Sequence, residues 1–176
     1  MFAKYKIIDC PYSSRINSNL YKLVRGNVVR EQKGGARITT WNFFNDNEKR
    51  IEEVGILLKW IKEQIPQLSM DFAAGRDNVD ERVGFFPNRF KIDNCWGLLY
   101  DKGQAILSHN HFPYSMTFSY CVNAPKGSKP LSIEGERINV KQGQVVFFLA
   151  HQFHIVETSN VDGRCVITGN ILYNPK

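Results

Sequence analysis

Eight short β-prone runs crowd the chain after about residue 90, with turn residues and no helix between them, and this pattern narrows the fold more than any other feature. CWGLLY comes first, then AILSH after the turn Asp101-Lys102-Gly103, then a run from about Tyr114 to Val122. After the loop APKGSKP come LSI, RINV, VVFFL, FHIVE and RCVITGNILY, separated by EG, KQG and VDG turn signals. Strands this closely spaced must pair with one another, and a double sheet closed on itself leaves the fewest unpaired edges. The expectation is a mostly β protein with flanking helices, built on a jelly roll (double-stranded β-helix).

One segment has a different period. In NDNEKRIEEVGILLKWIKEQIP, the residues Ile51, Val54, Leu58, Ile61 and Ile65 recur at spacings of three and four, acidic residues crowd the first turns, and Pro66 follows. This predicts one amphipathic helix over about 46–65, capped by Asn45 or Asp46 and packed on the sheet. With 176 residues, 43% of them apolar, the chain has the size of a single domain over 1–176 that buries its own core. Residues 1–90 then form a mixed, helical or irregular covering segment, and residues 91–174 the jelly-roll core.

Charge and cysteine usage restrict the setting. Residues 1–40 hold eight Lys or Arg (Lys4, Lys6, Arg15, Lys22, Arg25, Arg30, Lys33, Arg37) against Asp9 and Glu31, and the remainder holds fifteen of each sign, so the whole net charge of +6 lies in the N-terminal segment. A nucleic acid or acidic partner could use such a flank. The charges are spread and match no nucleic-acid motif, so a solvated basic surface is the favoured reading. Apolar runs such as VVFFLA are far too short to span a bilayer, and MFAKYK lacks the apolar core of a signal peptide. Cys10, Cys95, Cys121 and Cys165 show no C-x-x-C spacing and read as buried thiols. A cytoplasmic protein without membrane association is expected.

The four histidines fall in two clusters, His109 with His111 and His151 with His154, both inside the β region. Residues two apart on a strand project from the same face, so His109 and His111 can share one ion while Asn110 points away. About four strands fit between residues 111 and 154, enough for a jelly roll to return a late strand beside the early one. The reading is a mononuclear metal site of His109, His111 and His154 with open positions for chemistry. The alternative is a set of hydrogen-bonded surface histidines; His151 reads as a residue that supports the site from behind the ligands or as a loop residue. Arg164, ten residues after His154, either projects into the cavity to pair with an anion or stands exposed after the Asp162-Gly163 turn.

Taken together, Trp96, Lys102-Gly103, His109 and His111, then Gly143 and Phe148 leading to His154 and Val156, then Arg164 and Asn170, resemble the 2-oxoglutarate- and iron(II)-dependent oxygenase superfamily, in its compact branch from bacteria and phages. The resemblance spans about residues 94–171. It implies Fe(II) on His109, His111 and His154, and 2-oxoglutarate chelating the iron with its distal carboxylate clamped by Arg164. Tyr120 and Thr168 would add hydrogen bonds to that carboxylate, with Asn170 completing the cofactor-binding set. The implied activity is a dioxygenase that hydroxylates a C–H bond at the expense of dioxygen and 2-oxoglutarate. Its substrate is unidentified, with a peptidyl side chain favoured by analogy. The sequence departs from the common pattern in placing His111 where the wider superfamily has Asp or Glu. Two other readings stand beside it: a cupin-type metal protein that does not use 2-oxoglutarate, since Gly103 precedes His109 and His111 at cupin spacing, and a non-catalytic binding module on the same fold.

Overall fold

The computed structural model describes residues 5–73 and 87–174. All eight expected strands are present in it: β4 (Phe90–Tyr100), β5 (Ile106–His109), β6 (Met116–Asn123), β7 (Leu131–Ile133), β8 (Glu136–Ile138), β9 (Gln144–Leu149), β10 (His154–Val156) and β11 (Arg164–Tyr173). The N-terminal segment adds β1 (Tyr5–Asp9), β2 (Arg30–Glu31) and β3 (Arg37–Ile38), with helices α1 (Ser13–Asn27), α2 (Phe43–Asn47) and α3 (Glu52–Ala73). The strands form a seven-stranded sheet in the order β1-β9-β6-β11-β4-β3-β2 and a four-stranded sheet in the order β5-β10-β7-β8. Every strand pairing within both sheets is antiparallel. This is the expected jelly roll with flanking helices.

Alternation along the strands of the large sheet divides the core in two. On one face Cys95, Leu99, Phe118, Tyr120, Val145, Phe147, Cys165 and Ile167 pack with Ile16, Leu20, Val24, Leu57, Leu58 and Ile61 of the helices. On the other face Trp96, Leu98, Val146, Phe148 and Val166 meet Ile106, Leu131, Ile133 and Val156 of the small sheet. Helix α1 reaches the sheet closely because β4 has Gly97 at the crossing, where an added Cβ would lie 2.5 Å from a Val24 methyl.

The N-terminal segment corrects the sequence reading. It is not only a cover, because β1 pairs with β9 on one edge of the large sheet and β3 pairs with β4 on the other. The helix expected over 46–65 is two helices. Asn45 does not cap it: its side-chain amide donates to the carbonyls of Ile92 and Asp93, which ties α2 to β4, and α3 begins only at Glu52. Pro66 lies inside α3 instead of ending it. A mid-helix proline costs about 3 kcal/mol, but stopping there would expose Leu68, now 2% exposed, and withdraw Phe72 from the core. Burying side chains of that size is worth roughly 1.5–3 kcal/mol each, so packing outweighs the break.

Candidate metal centre

Strand β10 pairs with both β5 and β7, and its register places His154 opposite His109. Four strands, β6 to β9, separate the two histidine clusters, as the interval predicted. Strand β5 ends at His109, and the chain then turns, with the Asn110 side chain accepting from the Phe112 amide and the His111 amide donating to the Ala150 carbonyl. That turn brings His111 over the sheet beside its two partners. The ligand nitrogens of His109, His111 and His154 lie within 4.8 Å of one another, and His111 Nε2 is 3.2 Å from His154 Nε2. His151 is exposed on the turn before β10 and does not join the cluster.

Hydrogen bonding sets the tautomers. The His109 Nδ1 lies 2.8 Å from the Leu107 carbonyl and the His154 Nδ1 lies 3.2 Å from the Gln152 carbonyl. A carbonyl only accepts, so each Nδ1 carries the proton and each Nε2 turns a lone pair inward. Burial depresses the ring pKa of His111 to about 3 and of His154 to about 4, helped in each case by a neighbouring imidazole. Rings held neutral with converging lone pairs are what a transition-metal ion requires. The Trp96 ring centroid is 5.8 Å from His111, and Phe148 packs edge-on to His154 at 4.9 Å, so the group is walled by aromatics.

The three histidines open into a cavity of about 810 Å³ between the two sheets. Its floor follows alternation: Asn94, Trp96, Leu98 and Tyr100 from β4, and Arg164, Val166, Thr168 and Asn170 from β11. Arg164 pairs in register with Tyr100, and its guanidinium lies over the Tyr100 ring at 4.7 Å. It is only 6% exposed, and one terminal nitrogen has no hydrogen-bond partner. Neither Asp nor Glu lines the cavity among the described residues. A buried cation with an orphaned donor, in a cavity lined by no carboxylate among the described residues, is suited to an anionic ligand.

Not every expected contact is made. Tyr120 is on the wrong face of β6: it is fully buried among the helices, packs against Trp60 and donates to Asn17 Oδ1 at 2.6 Å. A one-residue shift in position reverses the face, and the neighbouring Ser119 lines the cavity instead. Thr168 does face the cavity, and its hydroxyl is 3.4 Å from that of Ser119. Asn170 also faces it, but six steps along the strand, roughly 20 Å, separate it from Arg164, and its side chain is tied to Asn94 and Thr117. Asn170 therefore cannot share a carboxylate with Arg164. The sequence reading missed Asn94, Tyr100, Tyr114 and Trp41; the alternation of β4 from Trp96 would have found the first two.

No protein-family model matches the sequence, and no curated protein matches it. Solved structures do. A viral collagen prolyl hydroxylase from Paramecium Bursaria Chlorella virus-1, solved as a 2-oxoglutarate complex, is 14% identical, with 96% of each chain covered and a TM-score of 0.69. A prolyl-4-hydroxylase from Pseudomonas putida is 17% identical over 97% of this chain and 93% of its own, with a TM-score of 0.65. An oxidoreductase of the 2-oxoglutarate-Fe(II) oxygenase family from Burkholderia pseudomallei is 10% identical over 98% and 85%, with a TM-score of 0.63. Over almost its whole length, then, the chain has the jelly-roll fold of 2-oxoglutarate- and Fe(II)-dependent oxygenase structures.

Proposed function

We propose that this protein is a 2-oxoglutarate- and Fe(II)-dependent dioxygenase that hydroxylates a C–H bond of its substrate. The observation that carries the reading is one cavity holding both halves of the required set: three imidazoles whose ligand nitrogens lie within 4.8 Å of one another, and the buried guanidinium of Arg164, one nitrogen of which has no partner. His109, His111 and His154 would hold the metal, and Arg164 would clamp the distal carboxylate of the keto acid. Iron and 2-oxoglutarate supply the oxidising chemistry when bound, with dioxygen consumed, succinate and carbon dioxide released, and one oxygen atom placed on the substrate carbon. The chain orients these groups and excludes water through Trp96, Leu98, Phe148 and Val166. Three neutral ligands leave the ion its full double charge, which favours a dianionic co-substrate.

Arg164 in the histidine cavity supports this reading over a cupin-type site, which has no use for a buried carboxylate clamp. A peptidyl side chain is the proposed substrate, supported by the prolyl hydroxylases among the similar structures. The cavity mouth also offers exposed apolar surface at Trp41, Leu107 and Phe112. An acidic or nucleic-acid partner is less favoured, because Lys6, Arg15 and Arg37 of the basic segment already pair with Asp71, Glu52 and Asp101. Among the described residues no helix is long and apolar enough to cross a membrane. Four buried free cysteines accord with a reducing, cytoplasmic setting.

The test is succinate formation by the wild type, His111→Asp and His111→Ala under identical Fe(II), 2-oxoglutarate and oxygen. Slow, iron-dependent turnover is expected in the wild type without its substrate. Activity in His111→Asp alone would make the natural protein a binding module on an oxygenase fold, and His111→Ala matching the wild type would remove His111 from the metal.

A further inference from the structure

Behind Arg164 lies a second cavity, of about 370 Å³, formed by the segment 124–131 and residues 139–142. Lys129, Lys141 and Arg164 line it with the polar side chains of Ser128, Asn139 and Gln142, and no Asp or Glu does. Among the described residues none of the three cations has an ion-pair partner. Arg164 lines both cavities, and its side chain is nine-tenths buried with one nitrogen unpartnered. Lys129 is half-buried and Lys141 exposed, so an anion in this concavity would meet two solvated ammonium groups beside the buried Arg164.

We propose that this second cavity binds a small multivalent oxyanion, a phosphate or a di- or tricarboxylate, and that its occupant competes with the co-substrate for Arg164. Lys129 and Lys141 supply charge from the loops, Asn139 and Gln142 supply neutral donors, and Arg164 supplies the fork that oxyanions match. An anion that draws the guanidinium toward the second cavity weakens the clamp in the first. By reciprocity, a carboxylate bound in the first cavity weakens the anion in the second by the same factor. The binding site stands on its own lining residues; the competition rests on the proposed 2-oxoglutarate role.

The experiment titrates metal-free protein with inorganic phosphate and, separately, with citrate, following amide NMR shifts in residues 124–142. Saturable shifts there are expected, and the tighter of the two anions identifies the source. The double variant Lys129→Ala/Lys141→Ala should bind that anion about tenfold more weakly or worse. On Mn(II)-loaded protein, phosphate should raise the Kd for 2-oxoglutarate in the wild type and leave it unchanged in the double variant. No saturable shift, or equal binding by wild type and double variant, overturns the site. Phosphate raising the Kd equally in both proteins overturns the competition. If 2-oxoglutarate fails to bind the Mn(II) protein while phosphate binds the loops, the co-substrate reading falls and the oxyanion site stands; the reverse result overturns the oxyanion site alone.

Discussion

At the scale of single residues, the histidine cluster trades stability for chemistry. His111 and His154 have native pKa values of about 3 and 4, against an ordinary value near 6.5. Between those limits the unfolded chain binds protons that the native chain refuses, so native stability falls as pH drops from about 6.5. Metal-free protein should therefore melt at a lower temperature at pH 5.5 than at pH 7, a window in which ordinary carboxylates barely titrate. His111→Asn should flatten that slope; an unchanged slope would mean that burial of the ring does not govern its protonation. The same three side chains should each be needed for metal. His109→Ala, His111→Ala and His154→Ala should weaken Mn(II) or Zn(II) binding by roughly a hundredfold or more, as loss of one of three ligands implies. His151→Ala should bind as the wild type does in a chelator competition. Comparable damage from His151→Ala would mean that the turn before β10 places the wrong imidazole inward.

At the scale of elements, strand alternation and close packing decide which face each residue serves. Gly97 lets α1 lie against β4, and a Cβ there would enter the space of the Val24 side chain. Gly97→Ala should destabilise the fold by roughly 1–3 kcal/mol through overpacking. Val24→Ala, which vacates that space, should recover part of the loss in the double variant, measured by urea denaturation. Strict additivity of the two changes would show that α1 does not seat on Gly97. Elements were legible in the sequence wherever a period repeated. The eight strands from β4 to β11 carry regular turn signals, and the apolar stripe from Val54 to Ile65 lies in α3. What was not legible depended on distant partners. Strands β2 and β3 are two residues each and exist because β4 offers β3 an edge, on which β2 then pairs. Helix α1 has few apolar residues and shows itself only through Ile16, Leu20 and Val24 against the sheet. Asn45 carries a cap signal that the β4 carbonyls claim instead. Tyr120 failed for a related reason: in β6 nearly every residue is buried, so composition does not tell the helix face from the cavity face.

At the scale of the whole molecule, the two sheets hold open a cavity containing a guanidinium that the protein itself leaves incompletely bonded. The Tyr100 ring gives Arg164 one aromatic face, but one terminal nitrogen is buried without a hydrogen-bond partner. Such a group lowers the stability of the empty protein, and a bound anion restores what was lost. Replacing a buried, poorly paired charge by an apolar side chain of similar length is often neutral or stabilising. In phosphate-free buffer, metal-free Arg164→Met should accordingly melt at the same temperature as the wild type or higher. Ligands reverse that order. A ligand that binds only the native state stabilises it by mass action, so Mn(II) should raise Tm in both proteins, because the histidines are intact in each. Adding 2-oxoglutarate should raise Tm further in the wild type and leave Arg164→Met nearly unmoved. A variant that loses the Mn(II) increment as well would place Arg164 in the support of the metal shell. If both proteins gained equally from 2-oxoglutarate, the distal carboxylate would be held by some other group, and the orphaned nitrogen of Arg164 would need a different anion.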